Sequence, residues 1–360
     1  MCPSYFYMEL SPGDLADRLS ILAIKKDYIT DPKKLENVQR EYAMMAPLVT
    51  HPIDELKDMN SVIWDVENEI RLHEKRGDFG QTFIRLARLV YHTNDRRAAI
   101  KRAINEGSLI AEEKQYTSYI QTNRPRLAIL THMGLGDHFI CNGLIRHLAK
   151  TSDVVTYAKH GNVKNVREMF RDLGPDVTVI AVEGDNEAWD KLLTEPNALR
   201  TGLFVGPNWQ VAKPWCDSFY VHANVNPSAL RDEFFVLRSR DREEAFHRKV
   251  VDHLGTDKYI VIHDDPSRYQ SISVATDLPI VRIGRGLFPV ESDTIYDYCT
   301  LIERAQQYHG YDSSFAWIVE LMRLRPKSST FLHRYIREQI SPGHEEFTQF
   351  CIISQPTLKV

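Results

Sequence analysis

Residues 126–150, RLAILTHMGLGDHFICNGLIRHLAK, decide how the second half of this chain folds. The run from Arg126 to Met133 has the β-rich, apolar composition of a buried strand. Gly134 and Gly136 permit a tight turn with backbone close to a ligand, and Phe139, Ile140, Leu144, Ile145 and Leu148 recur at helical spacing. Strand, glycine turn and helix in this order form the corner at which α/β proteins hold ligands. The helix N-terminus points at the turn, where unpaired N–H groups and the positive end of the dipole suit an anion such as a diphosphate. Gly134, Gly136 and Asn142 are therefore candidates for a phosphate or acceptor loop, and Asp137 and His138 for proton transfer. A plain strand-to-helix turn also accounts for the glycines.

Two familiar phosphate motifs do not fit. Gly134-Leu135-Gly136 begins like a dinucleotide fingerprint, but the third glycine position is Phe139, and Lys159 and His160 follow the next strand where a ribose-binding acid would stand. No Gly-Lys-Ser/Thr completes a Walker loop.

The 360 residues leave room for two or three domains, and 43% hydrophobic with 26% charged residues is ordinary for a soluble globular protein. A net charge of -4 gives no global basic field, so nucleic acid is not the expected partner. No segment approaches a long uninterrupted apolar run, and MCPSYFYMELSPGD lacks the basic-then-apolar plan of a signal peptide, so a cytoplasmic protein is expected. Five scattered cysteines without a C-x-x-C pair support neither a disulfide framework nor a structural zinc site.

Residues 11–120 read as helices. Ser11-Pro12-Gly13-Asp14 and Asp31-Pro32 look like helix starts, Ile53 to Lys75 carries one apolar face and ends at Gly77, and a fourth helix runs from Phe79 towards Glu106. Beyond Thr122-Asn123-Arg124-Pro125 strands alternate with helices: strands at 126–133, 153–158, 176–182 and 201–206, helices at 138–150, 162–173 and 186–193. A helix over Asp241 to Leu254 then opens a second run with strands at Tyr259–His263 and Pro279–Ile283, a helix over Thr294–Gln306, an extended His309–Tyr311 and a helix over Phe315–Met322. The layout predicts an α/β protein: a helical domain at 1–122, then Rossmann-like domains at 123–240 and 241–360. Ligands of such sheets bind beyond the carboxyl ends of the strands, and polar clusters stand at three of them: 134–138, 263–268 and 311–314.

Those clusters resemble the GT-B glycosyltransferases, and within them the heptosyltransferase-type families, over roughly 126–340. Such enzymes open with a strand, Gly-Asp and a helix, as at Gly136-Asp137, and carry an Asp with small or hydroxyl residues at a later helix start, as at Tyr311-Asp312-Ser313-Ser314-Phe315-Ala316. His138 and His263-Asp264-Asp265-Pro266-Ser267-Arg268 depart from that pattern. The resemblance implies two Rossmann-like domains of GT-B type, the first for acceptor and the second for donor. It implies a sugar moved from a nucleotide-diphosphate donor to a glycan or lipid-linked acceptor, without metal or other cofactor. Asp137 would be the base, with His138 as substitute or orienting neighbour, and His263, Asp265, Arg268, Asp312, Ser313 and Ser314 would bind the donor. The rival reading is a non-catalytic carbohydrate- or nucleotide-binding protein on a degenerate transferase fold. Residues 8–116 resemble a small uncharacterised helical family found in bacteria, with no activity attached.

Each assignment has a plainer counterpart. Asp137 could cap its helix, Asp312 or Ser313 could be an N-cap, and Trp209 and Trp215 could serve packing as well as sugar stacking. Lys159, Arg282 and Arg334 compete with Arg268 as diphosphate cations. His263-Asp264-Asp265 alternate in direction along a strand and do not readily face one ion. Arg85, Arg88, Arg96, Arg97, Lys101 and Arg102 read as a solvated face, or as a contact for membrane phosphates in a peripheral enzyme of polysaccharide biosynthesis. Self-association through the helical half is the remaining partner expectation.

Overall fold

The structure, a computed structural model, describes residues 9–108, 124–202, 215–263, 271–284, 289–290, 292–334 and 347–354. The chain forms two compact units, Met1–Thr122 and Asn123–Val360.

The first unit contains only helices among its described residues: α1 (Pro12–Tyr28), α2 (Pro32–Met45), α3 (Asp54–Arg76) and α4 (Gln81–Ile104). Local chemistry fixes their ends. Ser11 accepts from the Asp14 amide at 3.1 Å, Asp31 accepts from the Lys34 amide at 2.9 Å, and α3 stops at Gly77 with φ 64°. Ala16, Leu19, Leu22, Leu56, Val66 and Leu86 build the core. Within it, Asp17 accepts from Arg97 Nε at 2.7 Å and from Asn60 at 2.8 Å, so the charge enters the core with its partners. Of the basic residues on α4, Arg97 is thus paired with Asp17, and Lys101 is paired with Asp14 at 2.8 Å. These two cations are partly neutralised inside the bundle, which leaves a smaller basic face than the sequence suggests.

In the second unit come β1 (Arg126–Leu130), α5 (Leu135–Leu148), β2 (Asp153–Lys159), α6 (Val163–Met169), β3 (Val177–Val182), α7 (Asp185–Leu193) and β4 (Ala198–Arg200). All pairings are parallel, in the order β3-β2-β1-β4. After α8 (Asp217–His222), α9 (Ala229–Asp232) and α10 (Arg240–Leu254) a second parallel sheet follows. It contains β5 (Ile260–His263), β6 (Ile280–Ile283), β7 (Gln307–Gly310), β8 (Ser329–His333) and β9 (Cys351–Ile353), ordered β6-β5-β7-β8-β9. Helices α11 (Tyr298–Arg304) and α12 (Ser314–Leu321) flank β7. Both sheets bury apolar residues on their two faces: Ala128, Ile129 and Leu130 are inaccessible in β1, as are Val261 and Ile262 in β5.

One apolar core runs through both halves of this unit, with Phe139 against Tyr296 at 6.0 Å between ring centroids. Polar ties join them as well. Arg242 binds Glu168 at 2.8 Å and Asp297 at 2.6 Å, and Asn165 accepts from the Ile295 amide at 2.8 Å. Helix α5 is held from two sides. The Tyr220 hydroxyl donates to Ile140 C=O at 2.7 Å and accepts from Leu144 N–H at 3.2 Å, the two ends of one rung of the helix ladder. On the other side Gly143 lies so near α9 that an added Cβ would overlap the Ala229 carbonyl oxygen and stand 2.9 Å from its carbon.

Three expectations from sequence need correction. The strand placed at 201–206 is β4 at Ala198–Arg200, and residues 203–206 lie outside the described residues. Helix α5 begins at Leu135 rather than 138, which puts Asp137 and His138 inside its first turns. The helix over Thr294–Gln306 is a short 3-10 turn, Ile295–Asp297, leading into α11.

Candidate functional site

The strand orders locate the site. In the first sheet the chain moves from β1 to β2 on one side and returns as β4 on the other; in the second it moves from β5 to β6 and returns as β7. A parallel sheet opens a crevice at such a reversal, beyond the carboxyl ends of the strands. The residues at those ends are His132 to Asp137 after β1, His263 closing β5, and Tyr311 to Ser314 after β7. They are brought together. A Cβ added at Gly136 would stand 3.6 Å from the Ser314 amide N and 3.5 Å from Trp317 Cδ1, so the N-termini of α5 and α12 abut. Ser313 Oγ and His263 Nδ1 are 3.1 Å apart, which ties the third cluster to the second. Two helix N-termini meeting at one point concentrate N–H donors and positive dipole ends, a setting for a multiply charged anion.

On the α5 side Asp137 is the third residue of the helix, with a half-buried carboxylate favoured by the helix N-terminus. One oxygen, Oδ1, lies 4.0 Å from His132 Nδ1. The other, Oδ2, occupies the space above Gly134 that any Cβ there would fill. Gly134 has an extended backbone and caps α5 without a side chain, so what it supplies is room for the carboxylate. The sequence alone does not single out His132, which falls within the apolar run of the strand. The available signal was a histidine at a parallel strand end, five positions before the candidate base.

His138 and Asn142 are placed differently from the expectation. His138 is 3% exposed, on the core face of α5, and its Nε2 has no hydrogen-bond partner. Burial lowers its pKa to about 4, so the ring is neutral at neutral pH. Asn142 is wholly buried; its amide exchanges hydrogen bonds with the Phe235 main chain at 3.0 and 3.2 Å and accepts from Arg146 at 3.2 Å. That side chain pins the 235 segment to α5 and is committed away from a phosphate loop. Beneath Asp137, burial and then the Asp137 charge hold the Cys141 thiol well above its ordinary value, an unreactive state.

Across the junction, Ser313 precedes α12 in an extended conformation and its hydroxyl makes no cap hydrogen bond. It turns to His263 instead, and His263 stacks on Tyr311 at 5.0 Å with planes 9° apart and packs on Phe315 at 4.5 Å. Asp312, Ser313 and Ser314 are all half-buried. Asp265 and Arg268 lie outside the described residues, as does Trp209. Of the alternative cations, Lys159 pairs with Asp185 at 3.2 Å and Arg282 donates to the Ile272 carbonyl at 3.3 Å. No group of three His, Cys, Asp or Glu side chains is placed to hold a metal ion among the described residues. Nor, among them, is any helix long and apolar enough to cross a membrane.

The buried histidines predict acid sensitivity. His309, hydrogen-bonded to His333 at 3.0 Å, is lowered to about 4 by burial and then by the His333 charge, as His138 is by burial. In the unfolded chain such rings take up a proton near pH 6.5. Between those values the unfolded state binds more protons, so stability falls as the pH drops from about 6.5 towards 4. Urea midpoints should decrease steadily from pH 7 to pH 5. His138→Leu, which removes an imidazole with an unpartnered Nε2, should flatten that slope; an unchanged slope would mean the ring takes a proton in place.

Comparison with known proteins gives three findings. Residues 6–133 match a family of unknown function (DUF6165), over the region where the sequence resembles an uncharacterised helical family. No curated protein matches the chain. Among solved structures, similarity extends to the glycosyl transferase family 9 protein from Veillonella parvula DSM 2008, with 9% identity, TM-score 0.37, and coverage of 67% of this chain and 89% of that one. It also extends to the bacterial iron-containing dodecameric glycosyltransferase TibC from enterotoxigenic E. coli H10407. There the identity is 13%, the TM-score 0.35, and the coverage 59% of this chain and 58% of that one.

Proposed function

We propose that this protein is a glycosyltransferase that moves a sugar from a nucleoside-diphosphate donor to a hydroxyl of a glycan or lipid-linked acceptor. The observation that carries the reading is the meeting of the α5 and α12 N-termini, with Asp137 on one and Ser313 and Ser314 on the other. Glycosyl transfer needs a base on the acceptor hydroxyl and a stabilised diphosphate leaving group. Asp137 is suited to the first task. The α12 amides with the Ser313 and Ser314 hydroxyls are suited to the second, since a helix N-terminus takes phosphate without a metal. In this reading residues 123–240 and 241–360 act as the acceptor and donor halves of a GT-B arrangement, His263 orients Ser313, and Asp265 and Arg268 complete the donor site. The helical unit serves assembly or acceptor docking at a membrane face, and the setting is cytoplasmic polysaccharide synthesis.

Thermal-shift measurements with a panel of nucleoside diphosphates and nucleotide sugars test the donor side. A ligand bound only by the folded state raises the midpoint by about 2.7 kcal/mol of stability at a hundred times its dissociation constant. The double variant Ser313→Ala/Ser314→Ala should bind the same ligand roughly ten-fold or more weakly by calorimetry, through loss of charge-assisted hydrogen bonds, while unfolding at a temperature near the parent's. Unchanged affinity in that variant would move the donor site elsewhere.

A further inference from the structure

We propose that His132 is a positioning residue for the Asp137 carboxylate, holding one carboxylate oxygen so that the other is presented over Gly134 to the acceptor hydroxyl. The inference deepens the transferase reading and rests on it for the identity of the reaction. The geometry is independent of that reading. His132 Nδ1 lies 4.0 Å from Asp137 Oδ1, and the partly buried ring packs against aromatic neighbours. Phe219 meets it edge-on at 4.9 Å, and Trp215 lies nearly parallel to it at 6.3 Å. A Cβ at Gly202 would come within 2.5 Å of His132 Nε2, and Gly202 has φ +58° and donates its amide to His222 Nδ1 at 3.1 Å. A glycine with a left-handed backbone and a missing side chain is thus what lets the imidazole stand where its Nδ1 points at the base. Among the described residues, the charged and titratable groups around it include Asp137 from α5, Asp185 from α7, and His222 beyond Gly202. Burial lowers the ring below its ordinary value while the Asp185 charge opposes that, so the neutral ring is favoured at neutral pH.

Asp137 Oδ2, above Gly134, is the oxygen placed to take the proton of the acceptor hydroxyl as that oxygen attacks the anomeric carbon and the diphosphate departs with the bonding pair. His132 takes no proton in this step; it restricts the rotation of the carboxylate and favours its ionised form.

Histidine-labelled protein titrated by NMR tests the pairing without any substrate. With the His132 signal assigned by its loss in His132→Asn, its titration midpoint should fall in Asp137→Asn, because the carboxylate no longer favours the imidazolium; an identical midpoint in parent and Asp137→Asn overturns the pairing. With an active donor in hand, His132→Leu should lower kcat about ten-fold, leave the donor KM near the parental value, and move the acid limb of the kcat/KM profile to higher pH. His132→Asn, whose amide nitrogen replaces Nδ1, should recover most of that loss. If both variants fall equally with an unmoved acid limb, His132 only packs, and the proposal fails. A coupled midpoint in a protein that transfers no sugar from any nucleotide donor would uphold the pairing and sink the transferase reading.

Discussion

Asp137→Asn is expected to slow sugar transfer by about 100-fold or more, some 2.7 kcal/mol in the barrier, while nucleotide affinity stays within about two-fold of the parent. Asparagine is nearly isosteric with aspartate and keeps the hydrogen-bonding outline of the third helical position, so fold and stability should survive. What it loses is the ability to accept the acceptor's proton. The nucleotide should be indifferent, because its diphosphate is assigned to α12 rather than to the carboxylate. Single-turnover rates with a donor from the thermal-shift panel, alongside calorimetry of the same donor, separate the two effects. Equal rates in parent and variant remove Asp137 from the chemistry. Binding without transfer in the parent itself identifies a carbohydrate- or nucleotide-binding protein instead of an enzyme.

The largest loss of stability should come from a residue that carries no chemistry. Gly143→Ala adds a methyl group where the Ala229 carbonyl oxygen stands, with the carbonyl carbon at 2.9 Å and Leu230 Cα at 3.2 Å. These are main-chain atoms and cannot rotate away. Alanine in place of glycine improves helix propensity by roughly 1 kcal/mol, but forcing two backbones apart in a close-packed core costs on the order of 3 kcal/mol. Strain should win by about 2 kcal/mol. Gly136→Ala is the counterpart, since its methyl would meet Trp317 and Ser314 at ordinary contact distances of 3.5 to 3.7 Å and should cost little stability. Urea unfolding of both variants decides the matter: a Gly143→Ala midpoint equal to the parent's would show that α9 yields to α5.

How far the sequence could be read followed from how strongly each feature was overdetermined. The inner strands β1 and β5 carry uninterrupted apolar runs because both faces are buried, and both were legible. Strand β4, three residues at the sheet edge, pairs Ala128 with Ala198 and needs no apolar run, so the more β-like TGLFVG beyond it drew the assignment. The start of α5 is hard to read because Gly134 caps it without a side chain, so the helix begins three residues before the sequence signals it and takes Asp137 and His138 into its first turns. With the helix begun at Leu135, His138, Asn142 and Ile145 fall at i, i+4 and i+7 on one buried stripe, which is why both polar side chains lie in the core. That polar residues stand at the carboxyl ends of β1, β5 and β7 is legible from sequence, because the strands end where the apolar runs do. That the start of α5, His263 and the start of α12 come together is not legible, since it depends on where the two sheets place α5 and α12.

The order β3-β2-β1-β4 has a consequence during synthesis. Strand β1 receives β2 promptly, but its other edge stays bare until the ribosome has passed from Leu130 to Ala198. At roughly ten residues per second that is about seven seconds in which Ala128, Ile129 and Leu130 offer unpaired N–H and C=O groups on an apolar strand. Nascent chains paused in that interval would be the most prone to pair with one another, and the most dependent on a chaperone, of any in the protein's assembly.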